Sequence, residues 1–265
     1  MQKQNSIVTG VLKKVLFYIL LIVIWELVYK VGVEGLHLWK AYTFPSPVDV
    51  VKSIWNLIKD NTLGIAVAVS LKRLIQGYVV SLIIGLALGL IIVRYKYLDE
   101  NFSALILGLQ TLPSICWLPF AILWFGLNEE SIIFVIAVGS IFAIAMATEA
   151  GIKNVNPLYV KAAKTMGARG FKLYWNVVIP AALPSIVAGM KQGWSFAWRG
   201  LMAGEMLSAT KGLGQVLMVG RDLADISQVM AVMVIIIILG LTFDKLIFGK
   251  LEENIRYKCG LDAKL

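Results

Sequence analysis

Arg199 and Glu205 are ionisable, yet both lie inside an apolar run covering about residues 186–207. Four more charges fall within or at the ends of such runs: Glu26, Lys191, Asp244 and Lys245. On insertion scales a charge at the centre of a membrane-spanning helix costs roughly 2.5–3.5 kcal/mol, so each needs a reason. Lys191, Asp244 and Lys245 stand near the ends of their runs, where long stems can carry a charge to water. Arg199 stands near the middle, flanked by Trp194, Ser195 and Trp198. At helical spacing Trp194, Trp198 and Glu205 share a face, and Lys191 and Arg199 lie within about 80° of each other. Such a polar, aromatic stripe has two uses. It can line a translocation route, in which case Trp194, Ser195, Trp198, Arg199 and Glu205 are the pathway residues. There a guanidinium offers paired donors to a carboxylate or sulfonate. Alternatively, Arg199 is half of a buried pair with Glu205, Glu26 or a neighbouring helix. Glu205 is six positions away and faces elsewhere on the same helix, so that pair would join different helices or subunits.

Other chemistries lack their residues. A P-loop needs Gly, four residues and Gly-Lys-Ser/Thr to cradle phosphate with backbone N–H groups. The pair Gly249-Lys250 is followed by Leu251, and Asp244 stands where the first glycine belongs. Neither a nucleophile elbow nor a zincin motif occurs. The single histidine, His37, and two distant cysteines, Cys116 and Cys259, form neither a disulfide framework nor a metal site. No enzyme, resident cofactor or metal is expected.

The elements that hold these residues follow from composition. The chain has 265 residues, 59% hydrophobic and 15% charged, with a mean hydropathy of +0.80. Soluble domains carry about 25% charged residues, and disordered chains are far less apolar. The apolar residues come in long runs, not in the alternating strands of an outer-membrane barrel. An all-α integral membrane protein remains, read as a single domain over 1–265. Six spans are expected, at about 15–33, 74–93, 102–125, 132–148, 186–207 and 229–248, given the roughly 20 residues a crossing needs. No small-residue cleavage site follows the first, so it reads as an uncleaved span. With six spans, residues 1–14, 94–101, 149–185 and 249–265 share one side and hold 14 Lys and Arg, against 8 on the other. The positive-inside rule places both termini in the cytoplasm, and the net charge of +9 then speaks for orientation rather than for nucleic acid.

Within the outer segment, Pro47 suits the first position of a short helix with Val51, Ile54, Trp55 and Ile58 on one face, lying along the membrane surface. Small residues mark helix packing: Gly85 with Gly89, Gly189 with Gly193, and Gly200 with Gly204, each pair spaced for close approach. Pro113 and Pro119 are expected to kink or interrupt the third span.

The loop 149–185 reads as helical. Asn156 and Pro157 suit the N-cap and N1 positions, and Gly167 suits the stop. Between them Tyr159, Ala163 and Met166 are spaced for one face, with Ala162 beside them. About ten residues of helix are unstable alone in water, so flanks or a partner must hold them. A second aromatic segment, Phe171 to Val178, follows, and Pro180 and Pro184 are expected to break the chain before the fifth span.

Lys161-Ala162-Ala163, three residues, Gly167, nine residues, Val177, one residue and Ile179-Pro180 resembles the EAA loop of ABC importer permeases over all 20 positions. Lys161 replaces the pattern's glutamate, so a glutamate-dependent salt bridge cannot form there. Leu112-Pro113-Ser114, Trp117-Leu118-Pro119, Leu123-Trp124-Phe125-Gly126-Leu127, Leu183-Pro184, Ala203-Gly204-Glu205 and Gly212-Leu213-Gly214 resemble the nitrate/sulfonate/taurine branch. The resemblance implies the type I importer permease fold in a prokaryotic cytoplasmic membrane. It also implies a second copy of the permease, two cytoplasmic ATPase subunits that bind ATP and Mg, and an extracytoplasmic solute-binding protein. Tyr159, Lys161, Ala162, Ala163, Met166, Gly167 and Ala168 would form the coupling helix that docks on the ATPase. The competing reading is a self-sufficient secondary carrier or channel, which needs ion-coupling sites at mid-membrane and no large docking loop. No internal repeat is apparent, which speaks against an inverted-repeat carrier.

Overall fold

A computed structural model of the chain describes residues 2–40, 42–208 and 210–258; Cys259 lies outside them. The described residues are helical, without a β-strand. Five stretches are long and apolar enough to cross a membrane: Val15–Gly35, Thr62–Arg94, Glu129–Lys153, Gly170–Leu207 and Ile226–Tyr257. A sixth is a broken pair, Lys96–Gln110 with Ser114–Phe125, bent by 100°. Contacts group the chain into two units, residues 1–65 with 216–235, and residues 66–215 with 236–265.

In the first unit, α1 (Gln2–Tyr29) continues into a π-helical turn, Lys30–Gly35. Gly32 lets the Trp39 ring lie on that turn, where a Cβ would meet it at 2.6 Å. α2 (Pro47–Lys59) starts as expected: Pro47 is in its first turn, and the Ser46 hydroxyl accepts from the Asp49 N–H at 3.2 Å. Val51, Trp55 and Ile58 are exposed along it. Lys30 and Glu26 are an i, i+4 pair at 3.6 Å.

The second unit is built on three close helices: α3 (Thr62–Arg94) from residue 66, α6 (Glu129–Lys153) and α9 (Ile179–Leu207). All six glycines of the spaced pairs face α6. A Cβ on Gly85 would lie 2.9 Å from the Ile141 carbonyl, and one on Gly193 would lie 2.7 Å from Ile144. Gly89 meets Thr148, Gly189 meets the Ala147 methyl, Gly200 meets Val135 and Ile136, and Gly204 meets Ile132. Small residues thus let backbones approach where lipid supplies no hydrophobic drive. Between α3 and α6 lie α4 (Lys96–Gln110) and α5 (Leu118–Phe125), with a 3₁₀ turn, Ser114–Trp117, before α5.

Two boundaries differ from expectation. The helix that carries the second span starts at Thr62, well before 74: Lys72-Arg73 interrupt the hydropathy but not the helix, because Glu205 meets Arg73 inside the fold. The prolines before the fifth span do not break it. After α7 (Pro157–Thr165) and the short α8 (Gly170–Leu173), a π-helical turn at Tyr174–Val178 leads directly into α9. Pro180 stands in the first turn of α9, and the Ile179 N–H bonds to the Tyr174 carbonyl across the widened turn. Such a bulge makes room for proline rings within a continuous helix, and Pro184 follows inside it. The chain ends in α10 (Leu213–Asp222), α11 (Ile226–Phe243), a π-helical turn at Asp244–Gly249 and α12 (Lys250–Lys258).

Candidate functional site

The helix α7 is capped at both ends by local chemistry. The Asn156 side chain accepts from the Leu158 N–H at 2.9 Å, and Pro157 opens α7. At the other end Gly167 takes φ +89. The Gly167 N–H bonds to the Lys164 carbonyl (3.0 Å) and the Ala168 N–H to the Ala163 carbonyl (2.9 Å). That is a Schellman stop, which needs a residue free to enter the left-handed region.

The expected face of this helix divides. Ala163 is buried against its own chain, and Val160 packs on the cluster of Ile152, Val178, Ala182 and Ile186. Tyr159, Leu158 and Met166 are exposed, Met166 at 83%. Lys161 and Ala162 are exposed too. Ala163 therefore anchors α7, and the surface open to a partner is Leu158, Tyr159, Ala162 and Met166. α7 packs on the π-helical turn 174–178, and that turn runs without a break into α9. At the end of α6, Lys153 pairs with Asp99 of α4 and with Glu149 at 2.8 Å, and the Ser103 hydroxyl donates to Glu149 at 2.9 Å. α7 is thus held against the start of the fifth span, and the end of α6 is tied to α4.

The expected polar stripe on α9 also falls on two faces. Trp194, Trp198 and Glu205 turn inward and are buried, while Ser195 and Arg199 are exposed. Trp194 packs edge-on against Tyr78 at 5.0 Å and near Trp198 at 6.4 Å. Lys191 pairs with Asp244 at 3.1 Å, and both side chains stay partly exposed.

Glu205 is the centre of a buried network that joins residues far apart in sequence. Its carboxylate accepts from the Ser70 hydroxyl (2.8 Å), Arg73 Nη1 (3.1 Å) and the Gly214 N–H (2.9 Å). Arg73 also donates to the Lys211 carbonyl (2.7 Å) and to Glu129 (2.9 Å). Ser70 accepts from the Leu213 N–H at 2.9 Å. Gly212 and Gly214 wrap the carboxylate so closely that a Cβ on either would strike Glu205. Glu205 is fully buried and ties α9 to α3 and to the start of α10. Ser70 and Arg73 were outside the expected span; their signal is a polar i, i+3 pair in an otherwise apolar helix.

Arg199 lies at a cavity of about 400 Å³, which is lined by Gln110, Thr111, Ser114, Gly139 and Phe196 among others. Its guanidinium stands 5.3 Å from the Phe196 ring. Among the described residues no carboxylate stands within ion-pair distance of it. The described residues also hold no cluster of three or more potential metal ligands.

The family described as "binding-protein-dependent transport system inner membrane component" matches residues 77–256. A protein of Methanocaldococcus jannaschii named as an ABC transporter permease is 37% identical over 70% of this chain and 68% of its own. The Escherichia coli protein SsuC, named for aliphatic sulfonate transport, is 30% identical over 83% of this chain and 82% of its own. The Synechocystis nitrate import permease protein NrtB is 29% identical over 86% and 83%. Among solved structures, an inward-facing MetNI methionine ABC transporter aligns with a TM-score of 0.64 at 20% identity, covering 73% of this chain and 96% of that one. The fold is that of the type I importer permeases.

Proposed function

The chain belongs to the binding-protein-dependent transport system inner membrane components, multi-pass permeases of ABC importers, and from that premise we propose how it is driven and what it carries. Two copies pair in a prokaryotic cytoplasmic membrane with both termini inside. Two separate ATPase subunits bind ATP and Mg and dock on the coupling segments, and a solute-binding protein delivers solute from outside. ATP binding closes the ATPases, the coupling helices follow, and the spans switch from inward- to outward-facing; hydrolysis resets them.

One observation carries this reading: a nine-residue helix fixed at both caps, with Ala163 turned into its own chain and Tyr159 and Met166 turned out. A free apolar surface on so short a helix is stable only if the rest of the fold holds it, as it does here. Its rigid tie through the π-helical turn to α9 passes a push from a partner to the span carrying Arg199. The chain has no phosphate-binding loop of its own, so nucleotide energy has to enter through such a contact.

The solute is a small anion. Relatives are named for sulfonate and nitrate transport, and an exposed arginine on the fifth span suits oxygen-bearing anions. The permease itself contributes no catalytic group or cofactor to the cycle. Co-purification tests the assembly: an ATPase subunit co-expressed with the tagged permease is expected to follow it through affinity and size-exclusion steps. A permease recovered folded and free of ATPase would refute the assembly.

A further inference from the structure

Two features of the second unit are unusual for a membrane-spanning fold, and they meet at one place. The first is the break in the third span. α4 ends at Gln110, the helix resumes at Ser114, and the two parts are bent by 100°. Thr111, Leu112 and Pro113 between them are exposed. Within a bilayer, non-helical backbone is tolerated only where protein buries it or water lines it. The second feature is Arg199, exposed at mid-span and without an acid beside it among the described residues. Lys191 by contrast is met by Asp244, and Arg73 by Glu205 and Glu129. An unmatched guanidinium at that depth requires water or an anion.

Both features line the same cavity, with the Ser114 hydroxyl, the Gln110 side chain and Arg199 at its wall. Ser114 fits against α6 because residue 139 is glycine; a Cβ there would lie 2.8 Å from the Ser114 hydroxyl oxygen. The Thr111 hydroxyl is committed to the Gly108 carbonyl at 2.7 Å, so it donates nothing to the cavity. The donors available are the Arg199 guanidinium, the Gln110 amide and the Ser114 hydroxyl.

We propose that this cavity is an oxyanion subsite on the solute path. Arg199 takes two oxygens of a sulfonate, carboxylate or nitrate, and Gln110 and Ser114 donate to the oxygens that remain. The broken backbone opens the site to water, and the Phe196 ring holds the guanidinium at its edge. The proposal rests on the importer reading and deepens it by naming the residues that select the anion.

The test does not require the natural solute. In a permease–ATPase complex carrying Cys116→Ser and Cys259→Ser, a Ser114→Cys thiol is labelled from the aqueous phase. One methanethiosulfonate reagent bears a sulfonate and the other a trimethylammonium group. The thiol is expected to react with both, and Arg199→Gln is expected to lower the ratio of anionic to cationic rates by about tenfold, as removal of a focused charge does. Arg199→Lys should restore most of the ratio. A Tyr97→Cys thiol at the start of α4, 75% exposed and away from the proposed docking surface, is the reference, and its ratio should not change. A Ser114→Cys thiol that water-borne reagents do not reach, or a ratio unmoved by Arg199→Gln, would overturn the subsite. Either result in a complex that keeps its ATPase leaves the importer reading intact. Loss of ATPase from the unmutated complex would instead refute that reading.

Discussion

Replacing Tyr159 and Met166 by aspartate is expected to abolish ATP-driven uptake while leaving the permease folded. Both side chains are exposed, at 57% and 83%, and neither fills a core position of its own chain. Exposed positions away from core, caps and ion pairs change stability by less than about 0.5 kcal/mol. At an interface the same side chains would be apolar anchors, and losing such an anchor costs about 2 kcal/mol or more. Two together therefore lower ATPase affinity by about a thousandfold, at 1.4 kcal/mol per factor of ten. The measurement pairs retained ATPase after affinity purification with the thermal midpoint of the permease alone. Retention should fall and the midpoint should not. Ala163→Glu provides the contrast. It also loses the ATPase, but it places a charge in the contact between α7 and its own chain, so the midpoint falls as well. An unchanged ATPase retention in the double aspartate variant would mean that α7 is not the docking surface.

The second large effect is on stability. Glu205→Leu leaves Arg73 buried without its central partner, and removal of one half of a buried pair costs about 3–5 kcal/mol. Arg73 keeps the Lys211 carbonyl and Glu129, but the Glu129 side chain is 45% exposed and holds the charge through a solvent-screened contact. The Gly214 N–H and the Ser70 hydroxyl lose their acceptor in the same variant, so the start of α10 loosens with the span. Glu205→Gln keeps the shape and an acceptor oxygen and should cost less than Glu205→Leu. Glu129→Gln should cost least. Thermal unfolding in detergent, followed by size-exclusion recovery, checks that order. Equal midpoints for Glu205→Leu and Glu129→Gln would contradict the role given to the network.

What was legible in the sequence was what depends on neighbours along the chain. The caps of α7 are set by Asn156, Pro157 and Gly167, each acting within a few residues. The six apolar stretches follow from hydropathy, and the interruption at Pro113 follows from the proline itself. Its depth was not legible, since a proline fixes a local angle but not the direction in which the chain resumes. Pairings across the fold were hidden. Glu205 finds Arg73, 132 positions away, and Lys72-Arg73 mark a loop as readily as a buried charge when only the run is seen. The inward turn of Ala163 was hidden for another reason. Tyr159, Ala163 and Met166 share a face by spacing and Val160 stands next to Ala163, so spacing alone could not say where the packed side ends and the open side begins. The motif Gly212-Leu213-Gly214 was readable as a resemblance, and its cause is now plain: those two positions have no room for a Cβ beside the Glu205 carboxylate.

The source of energy decides between an ATP-driven permease and a self-sufficient carrier. Proteoliposomes would hold the permease–ATPase complex with ATP trapped inside, the solute-binding protein outside, and labelled nitrate or an alkanesulfonate as solute. Uptake is expected to require both the trapped ATP and the binding protein, and to survive collapse of proton and sodium gradients. Uptake by the permease alone, driven by an ion gradient without nucleotide, would contradict the account.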